Sequence, residues 1–161
     1  MILVVADTGP LCYLILIEAI DLLPRLYDRI VIPGAVLAEL AHSRAPALVK
    51  AWSAALPSWA EVRTAAHAEL DHILDPGEAE AIILAEQLKA DSLLLDEMEA
   101  RREALRRGLP VAGTIGVLEK AAERNFINLS EAFSRLARTS FHIAPEVIQQ
   151  ALQRDASNRK K

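Results

Sequence analysis

Four carboxylate positions carry the chemistry open to this sequence: Asp7, Glu39, the Glu78/Glu80 pair, and Asp96 with Glu97 beside it. Asp7 ends the apolar run Ile2-Leu3-Val4-Val5-Ala6, and Asp96 ends a second run, Ser92-Leu93-Leu94-Leu95. Apolar, β-branched runs without alternation read as strands buried on both faces of a parallel sheet. A strand of that kind has little reason to end in a charge. The C-terminal edge of a parallel sheet is also where open α/β folds bind their ligands. Two such strands delivering carboxylates to one edge point to a divalent-cation site. Mg2+ and Mn2+ take hard oxygen donors and keep several waters, so carboxylates from separate elements are the expected ligands. Such a site polarises a phosphodiester, lowers the pKa of an attacking water and stabilises the leaving oxygen. Asp7 has a competing role, as the cap of a helix opened by Thr8-Gly9-Pro10.

The remaining acids are read by their helical phase. Glu39 stands on the shoulder of an apolar face, Val36-Leu37-Ala38-Glu39-Leu40, where a glutamate is ordinarily solvated. Glu78 and Glu80 open an apolar helix, and two residues amount to about 200° around its axis, so both cannot face one point. Glu78 follows Pro76-Gly77 and suits the helix start, which makes Glu80 the choice for the site. Other chemistries lack their residues: there is no Gly-x-Ser-x-Gly elbow, Cys/His pairing or glycine-rich phosphate loop. His42, His67, His72 and His142 are scattered and read as surface residues.

The elements that must position these groups follow from the rest of the pattern. At 161 residues the chain is long enough for one domain with its own core, and 52% apolar with 4% aromatic residues makes that core aliphatic. Strands are expected near 2–6, 29–33, 61–64, 92–95 and 109–112, alternating with helices near 10–18, 34–42, 47–56, 78–89, 97–107, 114–124, 130–137 and 145–155. That alternation predicts an α/β fold with a central parallel sheet of about four to five strands between helical layers. One domain over 1–155 and a disordered basic tail over 156–161 are expected. Helices near Leu14-Ile15-Leu16-Ile17 and Asp21-Leu22-Leu23 offer apolar surface for a two-fold homodimer.

Charge and cysteine usage narrow the partners. A net charge of −4 argues against a mainly electrostatic nucleic-acid binder, but not against an enzyme that meets phosphates through bound cations. The single Cys12 and the absence of a Cys/His cluster exclude an intrachain disulfide and a structural zinc motif. No charged leader precedes the first strand, and Asp7, Gly9 and Pro10 interrupt the one stretch that imitates a membrane segment. A cytoplasmic protein without a membrane span is expected.

The order of these acids resembles the PIN-domain ribonucleases. Asp7-Thr8-Gly9-Pro10-Leu11, Ile32-Pro33 with Val36 and Glu39, and Gly77-Glu78-Ala79-Glu80-Ala81 are similar to one prokaryotic subfamily. Leu95-Asp96-Glu97 with Arg101 and Ala104, Gly108-Leu109-Pro110-Val111, and Gly113-Thr114-Ile115-Gly116-Val117-Leu118 extend the likeness over residues 2–152. That subfamily is largely uncharacterised and is often grouped with the VapC-like toxins of toxin–antitoxin pairs. The resemblance implies a PIN-like three-layer α/β/α fold and Mg2+- or Mn2+-dependent cleavage of RNA. It makes Asp7, Glu39 and Asp96 catalytic metal ligands, with Glu97 as the alternate to Asp96, and leaves the third acidic position to Glu78 or Glu80, of which helical phase selects Glu80. It places Thr8 among the metal waters, and Arg101 and Arg102 against the RNA backbone. A cognate antitoxin and a homodimer are the implied partners. The alternative is an inactive PIN-like module acting through protein partners. A phosphatase of the haloacid dehalogenase type also begins with a strand ending in aspartate, but would want a second aspartate where Gly9 stands.

Overall fold

The structure, a computed structural model, describes residues 1–160. In chain order the elements are β1 (Leu3–Ala6), α1 (Thr8–Leu16), α2 (Leu22–Leu26), β2 (Arg29–Pro33), α3 (Gly34–Leu40), α4 (Ala47–Ala54) and β3 (Ala60–Arg63). Then come a 3-10 turn (Ala68–Leu70), α5 (Pro76–Leu88), β4 (Ser92–Leu94), α6 (Met98–Arg106), β5 (Val111–Ala112), α7 (Thr114–Glu123), α8 (Leu129–Leu136) and α9 (Pro145–Arg159).

The strands form one five-stranded sheet in the order β3-β2-β1-β4-β5, every pair parallel. Their side chains alternate between two apolar layers. Val4, Ala6, Ile30, Ile32 and Leu94 point into a core shared with α1, α7 and α8. Leu3, Val5, Val31, Leu93 and Leu95 point into a second core under α5 and α6. Burial on both faces is why these strands read as unbroken apolar runs. The expected three-layer α/β/α architecture is the one observed.

Strand order reverses between β1 and β4, because the chain leaves β1 toward β2 on one side and later lays β4 on the other. In open parallel sheets such a switch point opens a crevice at the carboxyl ends of the strands. Asp7 follows β1 and Asp96 lies just beyond β4, so both stand at that crevice. The Asp7 N–H donates to the Leu94 carbonyl at 2.9 Å and stitches its two sides together.

Several expectations are corrected by local physics. Helix α5 starts at Pro76, with Asp75 as its N-cap and a reciprocal capping box between Asp75 and Glu78, two residues before the expected start. Helix α9 runs to Arg159 instead of giving way to a disordered tail at 156. Arg154 pairs with Glu119 of α7 at 2.7 Å, and Asn158 reaches Glu123 at 3.5 Å. The expected tail also includes residue 161, which lies outside the described residues. Of the apolar residues assigned to a dimer face, Leu14, Ile15, Ile17, Leu22 and Leu23 are buried in the monomer core, and Leu16 is half-buried against it. Among the described residues no helix is long and apolar enough to cross a membrane.

Leu14 is fully buried in the α1 side of the core, whereas Leu105 on α6 is 60% exposed. Leu14→Ala should therefore cost about 2–5 kcal/mol in urea unfolding, and Leu105→Ala no more than about 0.5 kcal/mol. Equal losses would place the core elsewhere.

Candidate metal centre

Asp7 occupies the N-cap position of α1 in extended conformation, yet its side chain makes no capping hydrogen bond. It is only 4% exposed, and its Oδ1 is buried without a partner. Leaving a buried acceptor unpaired costs about 1–3 kcal/mol, and more when it is charged. Burial pushes the Asp7 carboxyl well above the usual carboxylate range. The Thr8 amide pulls it back, while the charges of Asp75, Glu78 and Glu39 push it further up. A helix cap would not be left in this state.

Glu39 reaches the same place from α3. The Thr8 hydroxyl donates to its Oε2, which holds the carboxylate toward the start of α1. Its other side lies on the first turn of α5. A Cβ on Gly77 would stand 2.6 Å from Glu39 Oε1, so a side chain there would displace the Glu39 carboxylate. Burial raises the Glu39 carboxyl, the Thr8 hydroxyl and Gly77 amide lower it, and Asp75 raises it.

Glu78 completes the group. Its N–H donates to Asp75 Oδ1 at 2.8 Å and its Oε1 accepts from the Asp75 N–H at 3.2 Å. This capping box turns the side chain back over the helix start, where its charge acts on Asp7. Burial is the main force pushing the Glu78 carboxyl up to about 7, with the charges of Asp75 and Glu97 adding to it. Among the described residues, no ion pair involves Asp7, Glu39, Asp75, Glu78 or Asp96. Nor do three carboxylate, imidazole or thiol groups among them form a ready-made metal cage. The acids are neighbours that lack a counter-charge.

Two expected site residues have other partners. Glu80 is 4% exposed, and its two oxygens accept from the Ala35 N–H at 2.7 Å and the Ala65 N–H at 2.9 Å. With the helix starting at Pro76, Glu80 faces α3, while Glu78 lies among the charges that act on Asp7. Asp96 accepts from the Thr114 N–H at 2.7 Å and the Thr114 hydroxyl at 2.6 Å. Helices α3 and α7 begin after Pro33 and Gly113, neither of which caps with its side chain. Glu80 and Asp96 supply those caps from a distance. Glu97 is the N-cap of α6, accepting from the Ala100 N–H at 3.0 Å.

The arginines also divide. Arg101 Nη1 donates to the Leu95 carbonyl at 2.9 Å, which holds its guanidinium at the sheet edge beside Asp96. Arg102 is 68% exposed and pairs with Glu99 at 3.3 Å. Asp75, close enough to raise the carboxyls of Asp7, Glu39 and Glu78, is the residue that sequence reading missed. Its setting in Asp75-Pro76-Gly77 marks a helix start and conceals any second role.

A family model described as PIN domain matches residues 3–157. The chain belongs to the PIN-domain family. No curated protein matches it. PIN domains are generally divalent-metal-dependent nucleases. The residues present suit such a cation: an all-oxygen donor set, an orphaned buried oxygen on Asp7, and three neighbouring carboxyls raised by burial. These are hard donors of the kind Mg2+ and Mn2+ select.

The raised carboxyls give this PIN domain a pH signature. Glu78 rises from 4.5 to about 7 on folding, so the fold favours its protonated form. The associated stability is complete below about 4.5 and is lost as pH rises through about 7. Asp7 and Glu39 act in the same direction. With a chelator present, the melting temperature should fall between about pH 5 and 8, and Glu78→Gln should flatten that fall. Parallel profiles for the two proteins would show that Glu78 carries no such strain.

Proposed function

We propose that this PIN domain is a Mg2+- or Mn2+-dependent endoribonuclease and the toxin member of a toxin–antitoxin pair. The observation that carries the nuclease reading is the buried Asp7 carboxylate, its Oδ1 unpartnered, among Glu39, Asp75 and Glu78 with no basic side chain to neutralise it. Asp7, Glu39 and Glu78 would hold the cation. A cation bound there supplies Lewis acidity to the phosphodiester and to the attacking water.

The side chains around it have separate tasks. Thr8 fixes the Glu39 carboxylate through its hydroxyl. Arg101 is anchored through Nη1 on the Leu95 carbonyl and keeps its remaining N–H donors for a phosphate, which planar guanidinium suits. Asp96 holds the start of α7 against the sheet edge and frames the crevice beside Asp7. Water is the nucleophile, so the absence of an activated serine or cysteine follows. RNA in the cytoplasm is the proposed substrate and an antitoxin chain the proposed partner. Pairing with a second copy rests on the family resemblance, since the apolar residues first assigned to it fill the monomer core.

Asp7→Asn should keep the fold and lower Mn2+-dependent cleavage of single-stranded RNA at least about 100-fold, equivalent to about 2.7 kcal/mol of barrier. Full activity in that variant, or in chelator-treated wild type, would overturn the nuclease reading. Induced expression in a bacterium should arrest growth for wild type but not for Asp7→Asn. An active wild type that leaves growth unaffected would remove the toxin role alone.

The two arginines separate in the same assay. Arg101→Ala should raise KM for RNA several-fold and reduce its salt dependence, while Arg102→Ala should change KM less than about twofold. The reverse ranking would move the phosphate contact to the outer face of α6.

A further inference from the structure

Glu80 is a buried acid with no place in the cation site, on the same helix as Glu78 and two residues beyond it. Both of its oxygens meet backbone amides from elements far apart in the chain, Ala35 in the first turn of α3 and Ala65 just after β3. Helix α3 needs such a partner. It has seven residues, too few to be stable alone, and its N-cap is Pro33, which has no capping side chain. A carboxylate at its N-terminus pairs an orphan N–H and opposes the helix dipole.

Ala35 and Glu39 lie four residues apart, on one face of α3. Fixing the Ala35 amide therefore fixes the turn that carries Glu39. The junction has little slack. A Cβ on Gly34 would stand 2.8 Å from Thr64 Cγ2 and 3.7 Å from Glu80 Oε1. At the other end of the same face, Glu39 rests on Gly77 in the first turn of α5.

Building on the cation-site reading above, we propose that Glu80 is a positioning residue. It is a strut from α5 to α3 that sets the distance between Glu39 and Glu78. One helix thus carries one acid of the site directly and clamps the helix carrying another. Glu80 touches neither substrate nor cation and acts through Glu39.

Glu80→Gln places an NH2 group against one of two N–H donors, so it breaks one contact while keeping volume. It should retain a cooperative melt, bind Mn2+ about tenfold or more weakly, and lower kcat with KM for RNA unchanged. Gly34→Ala disturbs the same junction without altering any carboxylate, and should weaken Mn2+ in the same direction. It also carries the test if Glu80→Gln does not fold. In metal-free protein, the Ala35 and Ala65 amides should exchange slowly in wild type and Asp7→Asn, and quickly in Glu80→Gln.

If Glu80→Gln abolishes Mn2+ binding while Gly34→Ala binds normally and the two amides stay protected, Glu80 is a direct ligand and the strut is wrong. If Glu80→Gln lowers only the melting temperature, with Mn2+ affinity and kcat intact, its role is stability alone and the proposal also fails. If Asp7→Asn binds Mn2+ like wild type, the cation-site reading falls instead. The amide exchange still reports on the strut in that case.

Discussion

A carboxylate at the end of a strand sealed on both faces is an electrostatic demand on everything near it. Asp7 stands at the reversal of strand order, held to β4 through its own backbone N–H, so it cannot swing into solvent. Its environment offers an amide at Thr8 but no cationic side chain, and three more acids crowd it. Removing isolated charge from water is expensive, and proteins answer by protonating the group, pairing it or binding a metal. Protonation serves below the raised carboxyl range; above it the arrangement calls for a cation from outside the chain.

The acids of the crevice fall into two groups by what their oxygens meet. Glu80 and Asp96 accept from amides or a hydroxyl at the starts of α3 and α7. Hydrogen bonds to a charged group contribute about 1.5–3 kcal/mol each, so these two are satisfied and rigidify the frame. Glu39 and Glu78 both press on Asp7, and burial raises all three. Glu80 holds α3, the helix that carries Glu39, and Asp96 holds the start of α7 at the edge of the crevice. Strain in one set is tolerated because the other holds its geometry, as expected where local stability rules are broken at a functional site.

The sheet and most helices were legible because both-face burial and helix punctuation leave strong marks on sequence. Asp7 stood out as a charge ending an apolar strand, and Glu39 as a charge beside an apolar face. Which of Glu78 and Glu80 faces Asp7 depends on where α5 begins. Asp75-Pro76-Gly77-Glu78 carries the capping-box signature of that start, but it reads as punctuation ahead of the helix. The hydrogen bonds of Asp96 to Thr114 could not be read from the sequence, because the two lie 18 residues apart. The basic C-terminus read as disordered, but α9 is held by pairs to Glu119 and Glu123 of α7. Local chemistry was readable, and contacts between distant segments were not.

Carbon-13 titration of the side-chain carboxyls, with and without Mg2+, bears most directly on the demand for an external cation. In metal-free protein the Glu78 carboxyl should titrate near 7 and Asp7 well above the usual carboxylate range. Saturating Mg2+ should drive both steps down below about pH 5, because a bound cation favours the ionised forms. Titrations that Mg2+ leaves unmoved, or that are ordinary without it, would contradict the central role given to a bound cation.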